Sequence, residues 1–292
     1  MGSEWSNIIV GTLVLAAIYG LVAAGFVIVF RATKVLSFAQ GGFMLIGALI
    51  FYTFINNNLG LYPSMLAALV AMLVIGWVVY RFLFAFMAGA EPFIVAVATL
   101  GLSTVAQMIA FMIWGPAELT LPNLVSYTPR VLIGGITYTS ADVLAICVTI
   151  VIGGLTALAI RYTRLGIRMR ATADGAVLAA YTGINVTSVS GLAWGVGAAL
   201  ASVGGILYAV VYGLDPTGMP SVGLAVFPAI ILGGLDSFEG AFLGAFIVGI
   251  ISSVVSVTLG GQWQDPIAYL ALLAVLLLRP RGLFGSREIV RI

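Results

Sequence analysis

The residues able to do chemistry are few and clustered. Four arginines, Arg161, Arg164, Arg168 and Arg170, crowd one stretch, "RYTRLGIRMRATADGAVLAAYTGINVTSVS" (161–190), which holds no lysine. Uncharged polar groups gather in two others. Thr99, Ser103 and Gln107 recur every four residues, with Thr104 beside them, so a helix would carry them on one face. Ser37, Gln40, Gly41 and Gly42 stand together in "VLSFAQGGFMLIGALIF" (35–51). The absence of histidine removes imidazole metal sites and histidine-based catalysis. The single cysteine, Cys147, lies in an apolar run, forms no internal disulfide and reads as a small buried apolar residue. No G-x-x-x-x-G-K-[ST] loop occurs, since the one lysine, Lys34, is followed by Val35. All ten acidic residues fall at or beyond the ends of apolar runs. Ion-driven transporters often carry ionisable groups at membrane depth. Uphill movement of a solute through this chain would therefore draw its energy from another subunit.

The elements that hold these residues are membrane spans. Of 292 residues, 62% are hydrophobic and 8% charged, against about 25% charged in soluble domains. Such a chain is an integral membrane protein, all-α and polytopic, forming one domain over residues 1–292. A helix needs about 20 apolar residues to cross the hydrocarbon core. Spans are expected near 8–30, 35–55, 63–84, 92–114, 141–160, 190–212, 222–234, 239–259 and 265–279. The seventh and ninth are short, which puts the count at eight to ten. Basic residues mark the cytoplasmic side. Arg31 and Lys34, Arg81, the four arginines at 161–170, and Arg279, Arg281, Arg287 and Arg291 are separated by even numbers of spans. Only Arg130 falls on the other face, so the N-terminus is placed outside and the C-terminus in the cytoplasm. The N-terminus lacks a basic leader, and its first apolar run reads as a retained span. In the sixth span Gly191, Gly195 and Ala199, and on a neighbouring face Gly197, Ala201 and Gly205, recur every four residues. That spacing lets helix backbones approach closely and marks a central helix. "DSFEGAFLGAFIVGI" (236–250) echoes "LSFAQGGFMLIGALI" (36–50), a hint of a parallel internal repeat.

Each polar cluster has two readings. The Thr99–Ser103–Gln107 stripe serves either interhelical hydrogen bonding or a path for a small hydrophilic solute. Ser37, Gln40, Gly41 and Gly42 make either an ordinary helix start or a bent segment at the cytoplasmic mouth of that path. Within 161–190 a short helix is expected over about 172–182. Thr172 would be its N-cap, Asp174 would sit in its first turn, and Gly183 would end it in a left-handed conformation. It is too short to span. Val177, Tyr181 and Ile184 form an apolar edge flanked by Leu178 and Ala180. The preceding arginines suit anionic lipid headgroups. The segment is either an interfacial helix lying flat or a knob for a cytoplasmic partner, for which an ATPase is the natural candidate.

"RATADGAVLAAYTGINV" (170–186) resembles the cytoplasmic coupling loop of branched-chain amino acid ABC transporter permeases. "KVLSFAQGGFMLIGA" (34–48), "ILGGLDSFEGAFLGA" (231–245) and "LLLRPRGLFG" (276–285) are similar to stretches of the same family, of the shorter LivH type. Gln40 departs from the histidine expected there. The resemblance implies a coupling loop at 161–189, with Thr172, Asp174, Val177, Leu178, Tyr181, Gly183 and Ile184 engaging an ATPase. It implies a fold similar to vitamin B12-importer-class permeases and a bacterial inner-membrane location. It also implies a second homologous permease, two cytoplasmic ATPases that hold ATP and magnesium, and an external solute-binding protein. The chain itself would need no cofactor, and membrane lipid rather than nucleic acid would be its other partner. Leucine, isoleucine and valine are the expected solutes; urea or short amides on the same machinery are the alternative. A stand-alone channel would equally lack ion-coupling groups. An intramembrane enzyme is disfavoured, because no acid pair or nucleophile constellation lies at depth.

Overall fold

The computed structural model describes residues 2–87, 89–122, 130–131, 137–279 and 282–283. Arg281, Arg287 and Arg291 of the basic tail lie outside them. The helices in chain order are α1 (Gly2–Thr33), α2 (Gln40–Asn56), α3 (Leu61–Val79, prolonged by a π-helical turn, Tyr80–Phe84), α4 (Pro92–Trp114), α5 (Ser140–Tyr162), α6 (Arg164–Asp174), α7 (Ala176–Tyr181), α8 (Val186–Tyr212), α9 (Met219–Ala225), α10 (Phe227–Gly233), α11 (Phe238–Thr258) and α12 (Gln264–Leu278). Among the described residues, seven helices are long and apolar enough to cross a membrane. Two shorter apolar segments, Gln40–Asn56 and Met219–Gly233, fall where the second and seventh spans are expected. Among the described residues, Arg130–Val131 and Thr137–Tyr138 form a two-residue antiparallel ladder in the long loop before α5.

Two helices form the centre. α8 packs on α1, α2 and α3, and α1 also packs on α5 and α11. The small-residue periodicity explains this. A Cβ on Gly195 would strike the Leu73 carbonyl of α3, and one on Gly76 would strike the Trp194 carbonyl of α8. The neighbouring stripe divides its work, with Gly197 against Gly25 and Val29 of α1 and Gly205 against Met44 of α2. Without side chains between them the backbones reach dispersion distance, the main attraction available between helices in lipid. Trp194 is fully buried, its ring stacked on Phe84 at 4.4 Å, which anchors the π-turn of α3 to α8.

The outer helices α4, α5 and α12 bury one narrow stripe each. In α5 that stripe is Ala141, Ala145, Thr149 and Gly153, every four residues. Cys147 falls on the opposite face and is exposed, which corrects its reading as a buried residue. The seventh span is not continuous. α9 and α10 meet at Val226, and Pro220 and Pro228 each stand in the first turn of their helix, where a missing N–H is tolerated. The second span begins at Gln40 rather than 35. Lys34 takes a positive φ of 56°, and residues 34–37 lead into α2 without helical structure.

Candidate pathway and coupling sites

The first site is built where α2, α4 and α9 cross. A Cβ on Gly41 would be driven into the carbonyl of Pro220, and one on Gly223 into the backbone of Gly41. The crossing therefore requires glycine on both helices. One residue along, Gly42 lies against Ser103, so α2 also meets α4 here. The Phe38 N–H donates to Thr99 Oγ1 at 2.9 Å, and that hydroxyl donates to the Ala96 carbonyl at 2.7 Å. Thr99, fully buried, thus caps the approach to α2 from a different helix. In the echoed stretch the cap is local: Ser237, which matches Ser37, accepts at Oγ from the Gly240 N–H at 2.9 Å and caps α11. Gln107 Nε2 donates to the carbonyls of Pro216 and Thr217 at 3.2 and 3.1 Å. Thr217 Oγ1 reaches the Pro116 carbonyl at 3.2 Å, and the Asp215 carboxylate accepts from the N–H groups of Thr217 and Gly218 at 2.8 and 2.9 Å. These bonds clamp the segment leading into α9 onto α4. Phe227 at the α9–α10 break stacks on Phe38 at 5.0 Å and meets Phe26 edge-on at 5.7 Å.

The crossing thus gathers Gln40, Gly41, Gly42 and Ser103, while Thr99 holds the approach to α2 and Gln107 the segment leading into α9. Thr99 and Gln107 spend their polar atoms on backbone groups of neighbouring segments. Ser37 and Gln40 do not: both are 2% exposed, and Ser37 Oγ and both amide atoms of Gln40 have no hydrogen-bond partner among the described residues. A buried amide in that condition costs about 1–3 kcal/mol. The broken α9–α10 segment was missed by sequence reasoning, although Pro220 and Pro228, eight residues apart in an apolar run, are its signal.

The second site lies between α5 and α8. The turn out of α5 is tight: Gly166 abuts the Ile160 carbonyl, and Thr163 caps α6 by accepting from Gly166 N–H at 3.3 Å. α6 packs Gly166, Met169 and Thr172 inward, a stripe at helical spacing. The helix expected at 172–182 is therefore two helices broken at Gly175. Thr172 is not an N-cap; it sits in the last turn of α6, its Oγ1 donating to the Arg168 carbonyl at 2.9 Å. Asp174 ends α6 instead of starting a helix. The inward stripe begins directly after Thr163, and glycine is the weakest helix former available to stop it short of proline.

α7 ends as expected. Gly183 has φ +84°, its N–H donates to the Ala180 carbonyl at 3.0 Å, and Ile184 N–H donates to the Ala179 carbonyl at 3.1 Å. This is a Schellman closure. Ala179 faces inward, whereas Val177, Leu178 and Tyr181 are 69%, 71% and 84% exposed. Ile184, grouped with them by spacing, packs on the core of the chain itself, because the closure reverses the chain direction. Asn185 then caps α8, its side-chain oxygen accepting from Ser188 N–H at 3.0 Å.

Comparisons with known proteins bear on the chain as a whole. A family model described as branched-chain amino acid transport system / permease component matches residues 8–278. The permease protein LivH of the high-affinity branched-chain amino acid transport system of Salmonella typhimurium is 28% identical over 95% of this chain and 94% of its own length. The corresponding BraD permease of Pseudomonas aeruginosa is 29% identical over 97% of each. An autoinducer 2 import system permease, LsrC of Photorhabdus luminescens, is 35% identical over 39% of this chain and 37% of its own. No solved structure matches the chain. A family match across nearly the whole sequence, joined to a multi-pass helical fold, leads to one conclusion: the chain belongs to the family of branched-chain amino acid transport system permease components.

Proposed function

We propose that this permease forms one half of the pathway of an ABC importer for leucine, isoleucine and valine in the inner membrane. A second homologous permease supplies the other half, and an external binding protein delivers the solute. Two cytoplasmic ATPases, holding ATP and magnesium, dock at α7 of this chain and at the matching element of its partner. The N-terminus lies outside and the C-terminus in the cytoplasm. The observation that carries the reading is the exposure of Val177, Leu178 and Tyr181 on a short capped helix between two spans. Three large apolar side chains on one small helix favour burial in a partner. The full-length relatives named for branched-chain amino acid transport support the choice of solute. The basic residues shared by one face support the orientation.

Proteoliposomes holding the chain with its permease, ATPase and binding-protein partners test this. Labelled leucine should enter only with ATP, and isoleucine and valine should compete. Uptake of urea or a short amide in place of leucine would overturn the solute. Flux through the isolated chain without ATP would overturn the importer. For orientation, Thr120→Cys should react with an impermeant thiol reagent from outside intact cells, in a Cys147→Ser background, and Arg168→Cys should not.

A further inference from the structure

Three arginines from three helices surround one cavity of about 350 Å³. Arg31 comes from the last turn of α1, Arg161 from the last turn of α5 and Arg170 from α6. Arg161 and Arg170 are brought together by the tight turn at Gly166, and Arg170 Nη2 donates to the Arg161 carbonyl at 3.2 Å. That bond uses one of the five N–H donors on Arg170. Glu239 shares the cavity wall but forms no ion pair with any of the three, and among the described residues no other acidic residue lines it. Glu239 offsets only one of the three charges, so the wall stays net positive, and the guanidinium fork matches phosphate oxygens.

The rest of the wall is apolar. Phe238 closes the inner side, and Leu158 and Tyr162 stand on the outward face of α5, 55% and 70% exposed. The same outward face continues along α5 through Leu155 and Val151, both more than half exposed. The cavity is thus cationic at one end and opens at the other onto an apolar track that runs along a span. A soluble phosphate would use the first feature only. A phospholipid uses both.

We propose that this cavity is a specific site for an anionic phospholipid, its phosphate held by Arg31, Arg161 and Arg170 and its acyl chain lying along Leu158 and Leu155. The lipid bridges α1, α5 and α6, and so ties the base of the α6–α7 segment to two spans. The site does not depend on which solute the permease carries.

The test is lipid retention by the full-length chain, measured by native mass spectrometry after exchange into nanodiscs of equal phosphatidylglycerol and phosphatidylcholine. One phosphatidylglycerol should remain bound in strong preference to phosphatidylcholine. Each arginine contributes about fivefold at such a surface, so Arg161→Gln/Arg170→Gln should lower retention about thirtyfold. Arg81→Gln, a basic residue that does not line the cavity, should leave retention nearly unchanged. Equal retention of the two lipids by the unaltered chain, a measurement that needs no variant to fold, overturns the proposal. So does about a fivefold loss in Arg81→Gln, the loss per charge that diffuse attraction to a basic face would give. Displacement of the lipid by millimolar inorganic phosphate would assign the site to a free phosphate and overturn the lipid.

Discussion

The α7 knob and the crossing of α2 with α9 break the same rule in opposite directions. At α7, valine, leucine and tyrosine stand in the open while an alanine takes the buried position. At the crossing, a glutamine amide and a serine hydroxyl are sealed in without partners while glycines make the contact. Ser64, Trp194, Ser202 and Ser253 are also buried without partners among the described residues, but each leaves one polar atom unmet, whereas Gln40 leaves two. Thr99, Gln107, Asp215 and Ser237 all place their polar atoms on backbone groups. The contrast separates two kinds of incompleteness. An exposed apolar edge costs the free chain little and gains when covered, so it suits an interface. A sealed amide costs the chain at all times, so it is sustained only by the tight packing around it. The first region should respond to changes in its chemistry and the second to changes in its volume.

The largest expected effect tests that volume argument. Gly223→Val places a branched side chain into the backbone of Gly41, where no rotamer relieves it. Overpacking commonly costs about 1–3 kcal/mol, and more against rigid backbone. Membrane yield and size-exclusion profile should show loss of folded permease. Gly101→Val on the exposed side of α4 meets nothing within 4 Å and should purify normally. Equal behaviour of the two variants would mean that the crossing is not tight.

Next comes the chemistry of the knob. Tyr181 is 84% exposed and contributes little to the free chain, so Tyr181→Asp should insert and fold normally. Loss of a buried aromatic at an interface hot spot commonly costs at least about 2 kcal/mol, enough to lower ATPase retention more than tenfold in mild detergent. Hydrolysis should then run uncoupled from uptake. Normal retention and uptake at matched expression would return α7 to a membrane-surface role.

The sealed amide gives a smaller effect of opposite sign. Gln40→Met keeps the volume and removes two unpartnered polar atoms, so the permease should become more stable by about 1 kcal/mol. A rise of about 2–4 °C in its melting temperature is expected. A fall would show that Gln40 is satisfied in the membrane and that the crossing is hydrated.

The sequence carried some of this and not the rest, for physical reasons. Spans were legible because hydropathy is summed over some twenty residues, and errors at single positions average out. The central place of α8 was legible because its small residues repeat at helical spacing. Cys147 was misplaced because the buried face of a single helix depends on where its neighbours stand, and an apolar run looks alike on every face. Thr172 was misread because an N-cap and an inward-facing threonine look the same until the start of α6 at Thr163 is known. The polar stripe was found, but its partners were not: Thr99 takes its donor 61 residues away and Gln107 its acceptors 109 and 110 away. Local spacing holds no information about such pairs.

The smallest expected effect separates conformation from volume at the knob itself. Gly183 has φ +84°, and a Cβ there would meet nothing within 4 Å. Space is therefore free, and only the backbone conformation selects glycine. Asparagine tolerates the left-handed region, alanine less well, and a β-branched residue least. The strain costs about 1 kcal/mol or more for a residue that cannot adopt the conformation readily. Ala180 and Ala179 would lose the N–H groups that close α7, and the orientation of Tyr181 would loosen with them. ATPase retention should then fall in the order Gly183→Asn, Gly183→Ala, Gly183→Val, with about fivefold lost for alanine. Expression should stay near normal in all three, because nothing else packs on this position. If all three variants fall equally, the site is limited by volume in the docked complex, and the ATPase approaches the backbone of Gly183 itself. If none falls, α7 holds its shape without the closure, and the apolar edge alone carries the docking.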